Sequence, residues 1–388
     1  MGSYSHISFD KYPIFSTKNA YRYDVVDSIF LPEDYISEVR PNNSRNKLAW
    51  VVDQEDDSEY TFKGYRQTAK ICKQRLEIFG TKLSTAKKDF ETARVNASEE
   101  GYYDFSISKV TYKKYLDELR NIIKDKEKSW DYIYKNFKES LIYDELSIYG
   151  QSVESVLYSI LSIIPEDSII ECDLSEVIGN GWVEEPGTGD DDDIEKIIVL
   201  AEGKTDTEFI SKALSRLYPH LCRYYHFIDF DEFKVESNAS ALAKLVIALT
   251  ASNVKHPFIV LFDNDTTGIF EMKRLMQIKL PENIKVLKFP DIKLAKSYPT
   301  VGPTGIKKMN INGLACGIEM YFGHDVLMKN DTVIPVHWKA YNDKEKQYQG
   351  EITEKNYVQE KFREKLKSGN GDFTDIKTLL NMIFNAFN

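Results

Sequence analysis

Residues Ile197 to Ile210 read IIVLAEGKTDTEFI, and residues Pro257 to Gly268 read PFIVLFDNDTTG. In each stretch a short apolar run stops at acidic residues and a glycine. Ile197-Ile198-Val199-Leu200 leads into Glu202, Gly203 and Asp206. Phe258 to Phe262 leads into Asp263, Asp265 and Gly268. Runs rich in branched residues and flanked by helical patterns read as buried parallel strands. Ligands of open α/β sheets bind in the crevice at the carboxyl ends of the strands. Several carboxylates at two such ends make a hard-oxygen pocket suited to Mg²⁺ or Mn²⁺.

Working outward, strands are expected at 197–201, Tyr224 to Asp229, 258–262 and Ile284 to Phe289. Helices are expected between them, at Asp206 to Leu217, Ser240 to Thr250 and Ile269 to Lys279. This βαβαβαβ order predicts a mostly parallel sheet with helices on both faces. Beyond it lie Asn312 to Phe322, a strand at Ile334 to Trp338, and helices at 356–367 and 373–386.

Ahead of this α/β part, residues 1–65 read as a β-rich domain. Strands are expected within Ser5 to Ser16, at Asn46 to Val52 and at Tyr60 to Tyr65. Residues 66–178 read as helical, with Thr68 to Phe79, the run from Tyr112 to Tyr143 (including Trp130, Ile133 and Tyr134), and Ser152 to Ile164. Their length and many tyrosines suggest a dimerisation or partner arm, hence a homo-oligomer. Residues 179–194, GNGWVEEPGTGDDDDI, read as an acidic, glycine-rich linker, and 195–388 as the α/β domain. Consecutive acids diverge and repel, so Asp190 to Asp193 reads as a solvated tether rather than a metal site.

The chain has 388 residues, 42% of them hydrophobic, enough for real cores. Its net charge of −10 provides no global basic field of the kind that coats nucleic acid. A nuclease remains compatible, because bound metal and local lysines supply positive charge where phosphate sits. Cys72, Cys172, Cys222 and Cys316 form no CxxC pair, which argues against a zinc module and favours a reducing, cytoplasmic setting. No apolar run approaches the ~18 residues that span a bilayer, so no membrane partner is expected. The opening residues Met1 to His6 do not read as a signal peptide.

Glu202-Gly203-Lys204-Thr205-Asp206, followed two strand–helix units later by Asp263-Asn264-Asp265, resembles the TOPRIM pattern E-G-x-x-D and D-x-D. TOPRIM domains occur in topoisomerases, primases and OLD-family nucleases, and Asp206 makes this chain look closest to the last. The opening GSYSHISFDKYPIFSTKN, residues 2–19, resembles the HEPN/Toprim-associated N-terminal domain of bacterial defence proteins, which is fused to a HEPN ribonuclease or to a TOPRIM domain. HEPN nucleases carry an R-x(4–6)-H motif. Here Arg216 and His220 stand one residue too close, and Arg223 and His226 two, so the TOPRIM branch fits better. The resemblance implies a metal-dependent nuclease acting on DNA or RNA in antiphage defence. Glu202, Asp206, Asp263 and Asp265 would be its metal ligands. A further acid is wanted: Glu319 resembles the position that follows the fourth strand in OLD-type nucleases, and Asp291 is its rival. Glu202 would also serve in catalysis.

Two metal ions about 3.5–4 Å apart would activate water and neutralise both phosphate and leaving oxygen. Lys288 and Lys293, at the end of the fourth strand, are candidates to assist the transition state. Gly203 and Gly268 are expected to let backbone approach phosphate. A topoisomerase would need a separate domain with a nucleophilic tyrosine, and a primase of the DnaG type a zinc module. The other class is non-enzymatic: a nucleic-acid-binding or scaffold subunit beside a partner ATPase, toxin or sensor protein. The chain has no Walker A motif of its own, so any ATP dependence would come from that partner.

Overall fold

The computed structural model describes residues 2–49, 58–128, 135–186, 196–230, 238–303 and 305–387. The chain forms two units that divide between Asp192 and Asp193.

The first unit is built on a five-stranded antiparallel sheet in the order β2-β1-β5-β4-β3. Its strands are β1 Tyr4–Phe9, β2 Tyr12–Lys18, β3 Tyr35–Pro41, β4 Glu59–Thr68 and β5 Ile169–Asp173. The helices are α1 Tyr23–Ile29, α2 Ala69–Ile78, α3 Leu83–Glu99, α4 Tyr112–Asp125, α5 Phe137–Tyr143, α6 Val153–Leu161 and α7 Ser175–Gly179. Strand alternation turns Ile7, Phe9, Tyr65, Ile170 and Cys172 into one core with Phe90, Tyr115, Leu119 and Leu157 of the helices. In α4, Tyr112, Tyr115, Leu119, Ile122 and Ile123 recur at helical spacing and are all buried. Thr111 caps that helix through the Lys114 amide at 3.2 Å, and Lys126, in the left-handed region at φ 52°, ends it.

This arrangement corrects the expected boundary after residue 65. β4 runs on to Thr68, and β5, which follows the helices in sequence, pairs between β1 and β4. The β-rich and helical segments therefore share one sheet and one core. The unit also extends into the stretch expected to be a linker. Val183 packs against the core, and Glu185 accepts from Lys63 Nζ at 2.5 Å and from the Tyr35 hydroxyl at 2.9 Å. Asn46 to Ala49 form a turn rather than the expected strand, and α1, α3, β3 and β5 were not anticipated. Trp50 to Val52, Trp130, Ile133, Tyr134 and Asp190 to Asp193 lie outside the described residues. All four cysteines are free.

The second unit opens with the expected alternation: β6 Ile197–Ala201, α8 Lys204–Leu217, β7 Tyr225–Phe227, α9 Ala239–Ala251, β8 Phe258–Phe262, β9 Asn264–Asp265, α10 Thr266–Leu275 and β10 Ile284–Lys288. The sheet order is β10-β8-β6-β7, and every pair is parallel. Phe258, Val260 and Phe262 join a core with Leu242 and Val246 of α9 and Leu275 of α10. Ile259 and Leu261 point to the opposite face and are equally buried, so the sheet is covered on both sides. The unit is thus mixed α/β around a parallel sheet.

After β10 the chain adds β11 Tyr298–Gly302, β12 Gly305–Met309, β13 Ala315–Cys316, β14 Met328–Lys329, β15 Thr332–Val333, β16 Val336–Asn342 and β17 Gln347–Ile352, then α11 Lys355–Ser368 and α12 Thr374–Phe384. A second sheet has the order β12-β11-β16-β17, and β14 pairs with β15. Two contacts bring this late segment onto the parallel sheet. β13 pairs antiparallel with β9, setting Ala315 opposite Asp265 and Cys316 opposite Asn264. The rings of Phe209 (α8), Phe322 and Phe362 (α11) also cluster, with Phe322 and Phe362 stacked at 3.9 Å. All three rings are fully buried, each worth about 1.5–3 kcal/mol. Arg363 adds a bidentate ion pair from α11 to Glu208 of α8, with both bonds at 2.9 Å.

Candidate functional site

The two parallel strands β6 and β8 are neighbours in register, with Ala201 opposite Leu261. Glu202 and Asp263 therefore leave adjacent strand ends together. Glu202 Oε1 accepts from the Asp263 amide at 2.8 Å. Asp206 lies in the first turn of α8, where Oδ2 accepts from the Gly203 amide at 2.9 Å. Asp265 caps α10, Oδ1 accepting from the Gly268 amide at 2.8 Å and Oδ2 from Gln349 Nε2. Glu319 sits in a short 3₁₀ turn, Ile318–Tyr321, which the β9–β13 pairing carries alongside. A carbon added at Gly317 would meet Glu319 Oε2 at 3.3 Å and Asp263 Oδ2 at 3.5 Å, so those two carboxylates converge on one spot.

Burial and mutual repulsion mark these groups electrically. Burial, then Asp265, pushes the Glu202 carboxyl up to about 8. Burial, then Glu319, pushes Asp206 up to about 7. Asp263 is raised well above the carboxylate range by burial and by its four acidic neighbours, and Asp265 is raised by burial. Asp263 Oδ1 is buried with no hydrogen-bond partner. Such an atom costs about 1–3 kcal/mol unless something satisfies it.

Among the described residues, no three His, Cys, Asp or Glu groups already form a metal cage. The carboxylates are turned instead onto protein amides, as the bonds to Asp263, Gly203, Gly268 and Gln349 show. The donor chemistry nevertheless fits a hard divalent ion: five carboxylates, four of them held above their usual range, and one orphaned oxygen.

The sequence-expected residues do not all arrive here. Asp263, Asp265 and Glu319 line a pocket of about 80 Å³ with Gly317, Gln349, Glu351 and Lys355. Glu202 adjoins it through the Asp263 amide, and Asp206 through its repulsion with Glu319. Asp291 and Lys288 do not line it. They pair with each other at 2.8 Å, and Lys288 also reaches the side chain of Asn264, which alternates away from Asp263 and Asp265. That ion pair lowers the Asp291 pKa. Gly268 is committed to packing: a side-chain carbon there would lie 2.5 Å from the Asp263 carbonyl oxygen and 2.7 Å from Glu202 Oε1. At Gly203 the nearest neighbour would be Asp206 Oδ2 at 3.4 Å, an ordinary contact.

A family model for HEPN/Toprim N-terminal domain 1 matches residues 1–199, half of the chain. The chain belongs to that family. The matched HEPN/Toprim domain spans the first unit and ends inside β6, three residues before Glu202. No curated protein and no solved structure matches the chain.

Sequence reasoning missed the cations of the site in this HEPN/Toprim family member, Lys339 and Lys355. Lys355 Nζ stands 3.8 Å from Glu319 Oε1 and 3.5 Å from Glu351 Oε2. Burial alone would lower its pKa, but Glu319 and Glu351 carry it upward. Gln359 donates to Glu319 Oε1 at 2.8 Å. Lys355 and Gln359 lie one helical turn apart on α11, a spacing that carries no signal until that helix docks. No helix among the described residues is long and apolar enough to cross a membrane.

Proposed function

We propose that the second unit is a TOPRIM-type, OLD-like nuclease domain that cleaves phosphodiester bonds of DNA or RNA with Mg²⁺ or Mn²⁺. Membership of the HEPN/Toprim family supports a role for that activity in antiphage defence. One observation carries it most. Glu202, Asp263, Asp265 and Glu319 converge at the carboxyl ends of adjacent parallel strands, around a buried Asp263 oxygen with no partner.

Asp263, Asp265 and Glu319 would hold the ion, with Glu202 and Asp206 behind them. A divalent ion there supplies positive charge against the phosphate oxygens and lowers the pKa of a bound water. Glu202, with a pKa near 8 before metal binds, can take or release a proton at neutral pH. Lys355 offers positive charge to a phosphate from the α11 side of the pocket. Lys288 is turned onto Asp291 and does not line the pocket, whereas Lys355 does, so Lys355 replaces it as the candidate.

The alternative is a non-catalytic nucleic-acid-binding subunit working with a partner ATPase or toxin. The amide bonds already made by the carboxylates favour that reading to the extent that they persist when metal is offered. Calorimetry with Mn²⁺ and Mg²⁺ separates the two. Wild type is expected to take up Mn²⁺ at least as well as Mg²⁺, and Asp263→Ala/Asp265→Ala to lose it. Equal uptake by both proteins would remove the metal site. Incubation of wild type in Mn²⁺ with plasmid, single-stranded DNA and tRNA then reads the activity.

A further inference from the structure

Beside the acidic pocket the second sheet carries a groove of about 700 Å³ whose lining combines aromatic rings and lysines. Trp338 and Tyr341 of β16 and Tyr348 of β17 form one cluster. The Tyr348 ring lies 6.0 Å from Trp338 and 5.0 Å from Tyr341. Tyr341 is 49% exposed and Tyr348 58%, and the two residues lie opposite each other beside the turn of the β16–β17 hairpin. Lys307 and Lys346 line the same groove, and among the described residues neither has a carboxylate partner. Lys339 lines both this groove and the acidic pocket and is paired with Glu351.

The hairpin is also bonded to the acidic site. The Tyr348 carbonyl accepts from Thr266 Oγ1 at 2.8 Å, and the next residue, Gln349, holds Asp265. A chain lying along the groove would therefore run into the carboxylates.

We infer that this groove binds single-stranded nucleic acid, its bases stacking on Tyr341, Tyr348 and Trp338 and its phosphates meeting Lys307 and Lys346. The inference rests on the nuclease reading only for what happens at the far end of the groove. A duplex hides its base faces, whereas a single strand offers them to aromatic side chains. Lysine is depleted in protein–protein interfaces, so a groove ringed by lysines suits a polyanion better than a protein partner. With an overall charge of −10, contact with nucleic acid falls to local basic strips such as this one and to bound metal.

The test is fluorescence anisotropy of a labelled oligo-dT on the full chain in EDTA, where cleavage cannot interfere. Wild type is expected to bind, with log K falling against log salt at a slope of about −1.4 for two lysine contacts. Tyr341→Ala/Tyr348→Ala is expected to bind at least tenfold more weakly, and Tyr341→Phe/Tyr348→Phe, which keeps the ring faces, to bind nearly as wild type. Lys307→Gln/Lys346→Gln is expected to flatten the salt slope. No binding by wild type, or undiminished binding by the alanine variant, overturns the inference. So does an alanine variant that changes oligomeric state but not oligonucleotide affinity, which gives the face to a protein. Mn²⁺ uptake and cleavage by Asp263→Asn keep the two readings apart. If that variant loses both while the tyrosine variant binds normally, only the groove assignment fails. If it keeps both while the tyrosine variant loses the oligonucleotide, only the nuclease site fails.

Discussion

The amide of Asp263 donates to Oε1 of Glu202 over 2.8 Å, so the acid that ends one parallel strand is oriented by the backbone that ends its neighbour. A glutamine at position 202 offers the same carbonyl oxygen to that amide but cannot carry the charge. Glu202→Gln is therefore expected to fold as wild type and to cleave nucleic acid in Mn²⁺ about 10²-fold more slowly or worse. Single-turnover cleavage beside a thermal melt checks both halves. Wild-type rates from a folded variant would leave Glu202 as a structural acceptor only.

Metal-free stability should fall as pH rises. Glu202 and Asp206 titrate near 8 and 7 in the folded chain and near 4 when unfolded. Between those values the folded chain keeps protons that the unfolded chain has lost, so stability present at pH 5 is lost as pH rises through 7 to 8. Asp263→Asn removes a carboxyl whose ionisation burial and four acidic neighbours oppose, and is expected to leave the metal-free protein at pH 8 at least as stable as wild type. Melts in EDTA at pH 5 and pH 8 measure it. A variant melting lower than wild type at pH 8 would contradict it.

Gly268→Ala tests the packing beneath the acids. The added methyl would press on the Asp263 carbonyl and the Glu202 carboxylate at 2.5 and 2.7 Å. Backbone cannot retreat as a flexible side chain would, so a loss of about 1–3 kcal/mol is expected, together with weaker Mn²⁺ uptake. Calorimetry and denaturant titration read the two effects, and an unchanged protein would mean that the α10 N-terminus shifts freely.

In the first unit Arg75 is fully buried and pairs with Asp34, which also accepts from the Leu31 amide and from Gln67 Nε2, both at 2.8 Å. Asp34→Ala leaves the guanidinium buried and uncompensated, with an expected cost of about 3–5 kcal/mol. Arg75→Met/Asp34→Leu removes both charges and is expected to recover most of it. A double variant as unstable as the single one would show that the hydrogen bonds to Leu31 and Gln67, not the charge, hold this corner.

What the sequence determined by itself was local. The apolar runs at 197–201 and 258–262 read as buried strands with the acids at their ends, and they are strands, because length and branched-residue content are properties of a short segment. The resemblance in residues 2–19 likewise pointed to the family of the first unit. Tertiary structure decided whatever depends on segments distant in sequence. β5 slots between β1 and β4 about a hundred residues after β4, so a boundary read from composition cut through a single core. Glu319 reaches Asp263 only because β13 pairs with β9, and Lys355 reaches Glu319 only because Phe209, Phe322 and Phe362 dock α11. Lys288, at a strand end like the acids, faces Asp291 instead, since successive side chains of a strand point to opposite sides. Long-range pairing and alternation of direction leave no trace in spacing, and they decide which charges share a pocket.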